Sequence, residues 1–369
     1  MAYTVGSATG RPLEFSLGEL AGALGDSITV LPIVVAATAL SDLSIATVLL
    51  GFAVFQVVWG LRYRVPVSVE PMKALAVLVI AGSLTAAGLA TAGLLAGGLL
   101  LLAGVTGTIG RLESFVGEPV VRGVQLGVAL VLLRTGLQLG LDAPWVAGGA
   151  ALLVGVVVLL GSRRLAPLVA LGLGGVLAAV HVGLPTPALP ALGVALPAAS
   201  LVLTPRVLGA TAGQLALTVG NAAVATSLLL GEYFGSDVSA DDLATSMGVM
   251  NLLALPFGCL PMCHGSGGVA GKYAFGARSA GSNVILGALY AAAAVFAASL
   301  VAAFPMAVLG VVLALVGLEL ARTALESDRR WLTAGVGLAG LVLGIGVAFV
   351  AGLVAWQALG RRRTARTSG

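Results

Sequence analysis

Long apolar stretches separated by short polar breaks run the whole length of the chain. The first set falls near residues 19–40, 43–61, 67–84, 86–109, 119–139, 144–161 and 164–183. A Pro-rich stretch from Leu184 through Pro197 follows. The second set then falls near 207–230, 240–258, 262–277, 280–302, 304–322, 330–342 and 344–359, the last two short enough to form one long helix. Most approach the roughly 20 residues that cross a bilayer as helix. Two segments break the pattern: Pro66-Val67-Ser68-Val69-Glu70-Pro71-Met72-Lys73 and Pro261-Met262-Cys263-His264-Gly265-Ser266-Gly267-Gly268. Backbone without hydrogen-bond partners is costly in lipid, so an interrupted segment persists only where it lines a cavity. A matched pair in corresponding halves points to a transporter's binding site.

The halves match at an ungapped offset of 195 positions: Glu19-Leu20 with Gln214-Leu215, Gly25-Asp26 with Gly220-Asn221, Ser41-Asp42 with Ser236-Asp237, and Pro66 with Pro261. Several pairs involve polar residues rare in this chain, which favours duplication over chance. Cytoplasmic loops carry excess Lys and Arg. Arg62/Arg64, Arg111/Arg122, Arg163/Arg164, Lys272/Arg278 and Arg322/Arg329/Arg330 all fall on one side, and the tail Arg361-Arg362-Arg363 joins them only if the segment total is even. Fourteen segments satisfy this. Seven per half is odd, so the second half enters the membrane inverted. The expected class is an all-α polytopic membrane protein, a seven-plus-seven inverted-repeat transporter with two discontinuous half-helix segments. Both termini are expected to be cytoplasmic, in the cell (plasma) membrane.

Composition agrees: of 369 residues, 59% are hydrophobic and only 9% charged, with mean hydropathy +1.10. Soluble domains carry roughly 25% charged residues. The net charge of +4 comes from arginines in loops and excludes a nucleic-acid surface. Residues 1–18 are polar and contain Arg11, so no cleavable signal peptide is expected. The cysteines, Cys259 and Cys263, share one apolar segment, so no disulfide framework is implied. With His264 they lack a fourth metal ligand nearby, and no metal or cofactor is expected.

The interrupted stretches carry the candidate chemistry. Pro71 suits the first turn of a helix starting near Glu70, after extended Pro66 to Val69. Gly265, Gly267 and Gly268 permit close backbone approach before a helix starting around Ser266. Two half-helices would then aim free N–H groups and positive dipole ends at the bilayer midplane, a site favouring an anion. Lys73 strengthens that preference. Asp26 and Glu70 either pair with Lys73 or take up a proton accompanying substrate. His264 is read as a hydrogen-bonded structural residue, Glu19 and Gln214 as supporting groups, and Glu319/Arg322 as a cytoplasmic-side ion pair. Arg134 is read as snorkelling or pairing with Asp142.

At these residues the chain resembles the molybdate/sulfate transporter family, relatives of the SulP anion transporters. Gly25-Asp26-Ser27-Ile28-Thr29-Val30-Leu31-Pro32 is similar to that family's Gly-Asp-Leu-Gly-Thr-x-x-Pro signature. Residues 66–73 resemble its Pro-Val-Pro-Val-Gln-Pro-Met-Lys motif, and residues 261–278 its second signature. The resemblance implies a SulP/uracil-permease-like fold in which core segments (about 19–109 and 207–302) move against gate segments (about 119–183 and 304–359). It divides the chain into a first repeat at 1–183, a connection at 184–206, a second repeat at 207–359 and a basic tail at 360–369. It implies import of a tetrahedral oxyanion, most characteristically molybdate. The substrate region carried over by position is Asp26, Ser68, Val69, Glu70, Lys73, Asn221, Cys263, His264, Gly265, Ser266, Gly267 and Gly268. Ser68 departs from the motif's Pro and Glu70 from its Gln; the extra carboxylate points to proton coupling or to a different anion.

Other classes fit less well. Transport of benzoate or nucleobases would want aromatic walls, and few aromatics lie near the motifs; bicarbonate stays open as a small anion. A channel needs rings of like groups around a symmetric pore. An enzyme needs a catalytic constellation, and none is recognisable with only His181 and His264 as histidines. The implied partners are the oxyanion and the lipid bilayer, with a homodimer open.

Overall fold

The computed structural model describes residues 12–161, 163–183, 185–187 and 201–367. Most of the Pro-rich connection, and the end of the basic tail, lie outside them.

The first half comprises α1 (Leu17–Ala39), α2 (Ile45–Tyr63), strand β1 (Glu70–Pro71), α3 (Lys73–Ile80), α4 (Ala86–Val105), α5 (Ile109–Val116), α6 (Glu118–Asp142), α7 (Pro144–Leu159) and α8 (Ala166–Val182). The second comprises α9 (Pro205–Leu217), a π-helical stretch (Thr218–Ala225), α10 (Thr226–Phe234), α11 (Ala240–Ala254), β2 (Met262–Cys263), α12 (Ser266–Ala274), α13 (Gly281–Ala302), α14 (Met306–Ala324), α15 (Arg330–Leu343) and α16 (Ile345–Thr367). Eight of the described helices are long and apolar enough to cross a membrane. The question over residues 330–359 is settled by Gly344, whose φ of 94° ends α15 and separates it from α16. Only glycine adopts such a φ without strain.

Polar caps mark the helix starts. Ser16, Ser44, Thr85 and Thr204 each accept from an amide of the first turn, and Ser239 forms a reciprocal capping box with Asp242. The sequence pattern did not predict α5. Only Ile109 and Val116 of it are buried, while Arg111 and Glu113 are exposed, as suits a short helix on the membrane surface.

Pairing across the halves builds the interior: α2 packs on α13, α4 on α11 and α1 on α12, while α6 packs on α14 and α15. The crossing of α1 and α12 is close because Gly25 and Gly271 meet there; a Cβ on Gly271 would lie 3.0 Å from the Gly25 carbonyl. Small residues at such crossings let helix backbones approach in membranes. In contrast, Trp145, Leu159 and Val180 on α7 and α8 stand 93%, 87% and 79% exposed, an apolar surface suited to lipid.

Candidate functional site

The two interrupted segments cross in the protein's centre. β1 and β2 pair antiparallel, Glu70 opposite Cys263 and Pro71 opposite Met262, and the Met72 amide donates to the Pro261 carbonyl at 2.8 Å. Each strand is also held by a side-chain amide from a neighbouring helix. Gln56 Nε2 donates to the Val69 carbonyl at 3.2 Å. Asn251 brackets Met262, donating to its carbonyl at 2.6 Å and accepting from its amide at 2.8 Å. Backbone that belongs to no helix is thus satisfied inside protein, as the bilayer requires.

From this cross α3 and α12 begin. α12 starts at Ser266, as expected. α3 starts at Lys73, three residues later than the proline suggested, because Glu70 and Pro71 are committed to the strand pair. Gln214 caps α3: its Oε1 accepts from the amides of Ala74 at 2.9 Å and Leu75 at 3.3 Å.

Four charges sit here as two ion pairs. Lys73 Nζ bonds Glu70 Oε2. Asp26 does not pair with Lys73; its Oδ2 lies 3.2 Å from Lys272 Nζ, with both side chains fully buried. This corrects the placement of Lys272 among cytoplasmic loop charges. Asp26 also accepts from Ser68 Oγ at 2.5 Å and Gln56 Nε2 at 3.0 Å. Lys272 donates to the Val67 carbonyl at 2.7 Å and to Gln56 Oε1 at 3.1 Å. Asn283 Nδ2 donates to the same two oxygens at 2.6 and 2.8 Å. Every charge in this second pair is therefore hydrogen-bonded, the condition under which buried ions are tolerated.

A small pocket opens beside the cross, lined by Lys73, Gln214, Leu217, Asn221, Ala222, Cys263, His264 and Gly265. Of the predicted site residues, Lys73, Asn221, Cys263, His264 and Gly265 reach it directly. Ser266 borders it through a 2.5 Å bond to Asn221 Oδ1. Gly267 is exposed at the start of α12. Asp26, Ser68, Val69 and Glu70 are fully buried behind these groups. Gly268 is buried with them, its amide donating to Glu70 Oε1 at 2.7 Å. Both His264 ring nitrogens are engaged within the protein, Nδ1 with the Ser68 carbonyl at 2.8 Å and Nε2 with Ser246 Oγ at 2.7 Å. The ring also meets Trp59 and Tyr63 edge-on. The Cys263 thiol lies 3.7 Å from the Pro71 carbonyl.

Among the supporting groups, Glu19 accepts from the amides of Arg278, Ser279 and Ser282 at 2.8 to 3.0 Å, tying α1 to the start of α13. Glu319 and Arg322 pair at 3.9 Å on an exposed face, a contact worth little. Exposed Arg134 shows no ion pair with Asp142.

Sequence reasoning missed Gln56, Asn251, Lys272 and Asn283. Two signals pointed to them. Gln56 and Asn251 are themselves 195 positions apart, a further match at the repeat offset. Lys272 lies four residues after Gly268, so both share the α12 face turned towards Asp26.

The sequence matches the family described as molybdate transporter of MFS superfamily twice, over residues 18–132 and 206–320, once in each half. The chain belongs to this molybdate transporter family. It is 30% identical over 375 residues to molybdate transporter 2 of Arabidopsis thaliana, covering 85% of this chain and 80% of that protein. It is 28% identical over 438 residues to molybdate transporter 1 of Chlamydomonas reinhardtii, covering 84% of each. Two solved structures share the fold. The transmembrane domain of the cyanobacterial bicarbonate transporter BicA superimposes with a TM-score of 0.63 at 20% identity, over 91% of this chain and 97% of that one. Murine Slc26a9 in the inward-facing state gives 0.66 at 14% identity, over 96% and 70%. This family member is thus a multi-pass membrane anion transporter with the seven-plus-seven inverted-repeat fold.

Proposed function

We propose that the protein imports a tetrahedral oxyanion, molybdate most characteristically, by alternating access. The observation that carries this reading is the convergence of Lys73 and the α12 N-terminus on one pocket whose lining contains no Phe, Tyr or Trp. A cation and a helix N-terminus attract a compact anion; the absence of aromatic walls disfavours benzoate-like substrates. The molybdate transporters named above support molybdate over other anions, and the BicA fold likeness makes bicarbonate the competitor to test. In this reading α1–α4 and α9–α13 form the core that carries the site, α6–α8 and α14–α16 form the gate, and both termini are cytoplasmic. Of the two carboxylates considered for a co-imported proton, Glu70 is favoured, because its partner Lys73 lines the pocket, whereas Lys272, the partner of Asp26, is fully buried.

Uptake of labelled molybdate into proteoliposomes, with sulfate, bicarbonate and benzoate as competitors, tests the reading. Molybdate should enter and sulfate should compete best; no uptake with or without an imposed proton gradient would sink it. Lys73→Met removes a charge-assisted contact of about 1.5–3 kcal/mol. Molybdate affinity should then weaken by about 10- to 100-fold. Unchanged affinity would assign the attraction to the helix end alone.

A further inference from the structure

The positive end of α12 is already occupied, and the occupant belongs to the protein. Glu70 Oε1 accepts from the Gly268 amide at 2.7 Å while Oε2 bonds Lys73. Lys73 and Gly268 are repeat mates, 195 positions apart, as are Glu70 and Gly265. One half supplies a cation and the other a bare amide, and both are turned on the same carboxylate. A Cβ on Gly265 would overlap that carboxylate, and one on Gly268 would lie 2.6 Å from Glu70 Oε1. The glycines thus make room for Glu70. Yet Lys73 also lines the pocket, its side chain 18% exposed, whereas Glu70 is wholly buried behind it.

We propose that Glu70 is a tethered anion that competes with the transported oxyanion for Lys73 and for the α12 N-terminus. With no substrate, its carboxylate neutralises both. An arriving oxyanion draws Lys73 towards the pocket, and Glu70 recaptures it when substrate leaves. Glu70 thereby lowers affinity and speeds release. This inference rests on the anion-site reading above and adds to it the means by which the site lets go.

The test is Glu70→Gln, which keeps the shape and an acceptor for Gly268 but removes the competing charge. Binding of molybdate, sulfate and bicarbonate is measured by calorimetry on detergent-purified protein, and uptake kinetics in proteoliposomes. Whichever anion wild type binds should bind Glu70→Gln about tenfold tighter, with KM and Vmax both reduced. The gain should vanish in the Lys73→Met background, since it acts through that lysine. A residue that merely positioned Lys73 would give weaker binding on substitution; equal or weaker affinity in Glu70→Gln, or a gain that survives Lys73→Met, overturns the proposal. If wild type binds sulfate but not molybdate, the molybdate assignment fails while a gain for sulfate supports the tethered anion. Binding of no anion by either protein sinks both.

Discussion

Lys272→Met is expected to destabilise the protein severely, by about 3–5 kcal/mol, because it strands the Asp26 carboxylate without its cation in a fully buried site. The loss should exceed that of any single exposed ion pair, which contributes about 0–1 kcal/mol. Lys272 has no water to fall back on. It is fully buried and bonds the Val67 carbonyl and Gln56 as well as Asp26. Its removal leaves Asn283 to hold Val67 alone. The double variant Asp26→Asn with Lys272→Met removes both charges while the side-chain oxygen at position 26 still accepts from Ser68 Oγ. It should recover much of the stability, because interacting sites are non-additive. Thermal unfolding of the purified variants decides it. A Lys272→Met protein as stable as wild type, or a double variant no better than the single, would show that the Asp26–Lys272 pair does not hold the buried site together. The recovered double variant should still bind oxyanion through Lys73, which separates the two lysines by role.

The different fates of these lysines show how far the sequence could be read. Segment number, inversion and the two half-helices followed from hydropathy, loop charge and a constant offset, because lipid forces apolar length and backbone satisfaction on every crossing. Charge inside a segment is harder to place from periodicity. Lys73 stands beside the interruption, and that position marks it as functional. Lys272 lies two turns into α12, where the nearby Arg278 made it resemble a loop charge. Which carboxylate meets which lysine is a tertiary fact: Asp26 and Lys272 are brought together by the α1–α12 crossing. The strand pair was hidden for a similar reason. Pro71 fits a helix start as well as an extended strand, and only the approach of Pro261 to Met262 from the other half selects the strand. The π-helical stretch carrying Asn221 has no periodic signature at all.

The glycines of the second signature had a physical role that the sequence suggested but assigned to substrate, and one substitution separates the two assignments. Gly268→Ala is expected to abolish transport and to destabilise the protein, although helix propensity alone would favour alanine by about 1 kcal/mol. The added methyl would fall 2.6 Å from Glu70 Oε1 and closer still to Asp26 Oδ1 and Ser68 Oγ. Each of these groups is held by further bonds, so no flexible end can swing aside. Overpacking of this kind costs typically about 1–3 kcal/mol and outweighs the propensity gain. It also drives the Glu70 carboxylate off the Gly268 amide, disturbing both ion pairs at once. Gly98, half-buried on α4 with open space around its Cβ position, is the control. Gly98→Ala should leave transport intact and stability equal or slightly raised. Thermal unfolding and molybdate uptake on the two variants test the contrast. If Gly268→Ala transported normally, the carboxylates would have to be far more mobile than their bonding implies. A loss of transport at unchanged stability would mean that Gly268 faces the substrate and not Glu70.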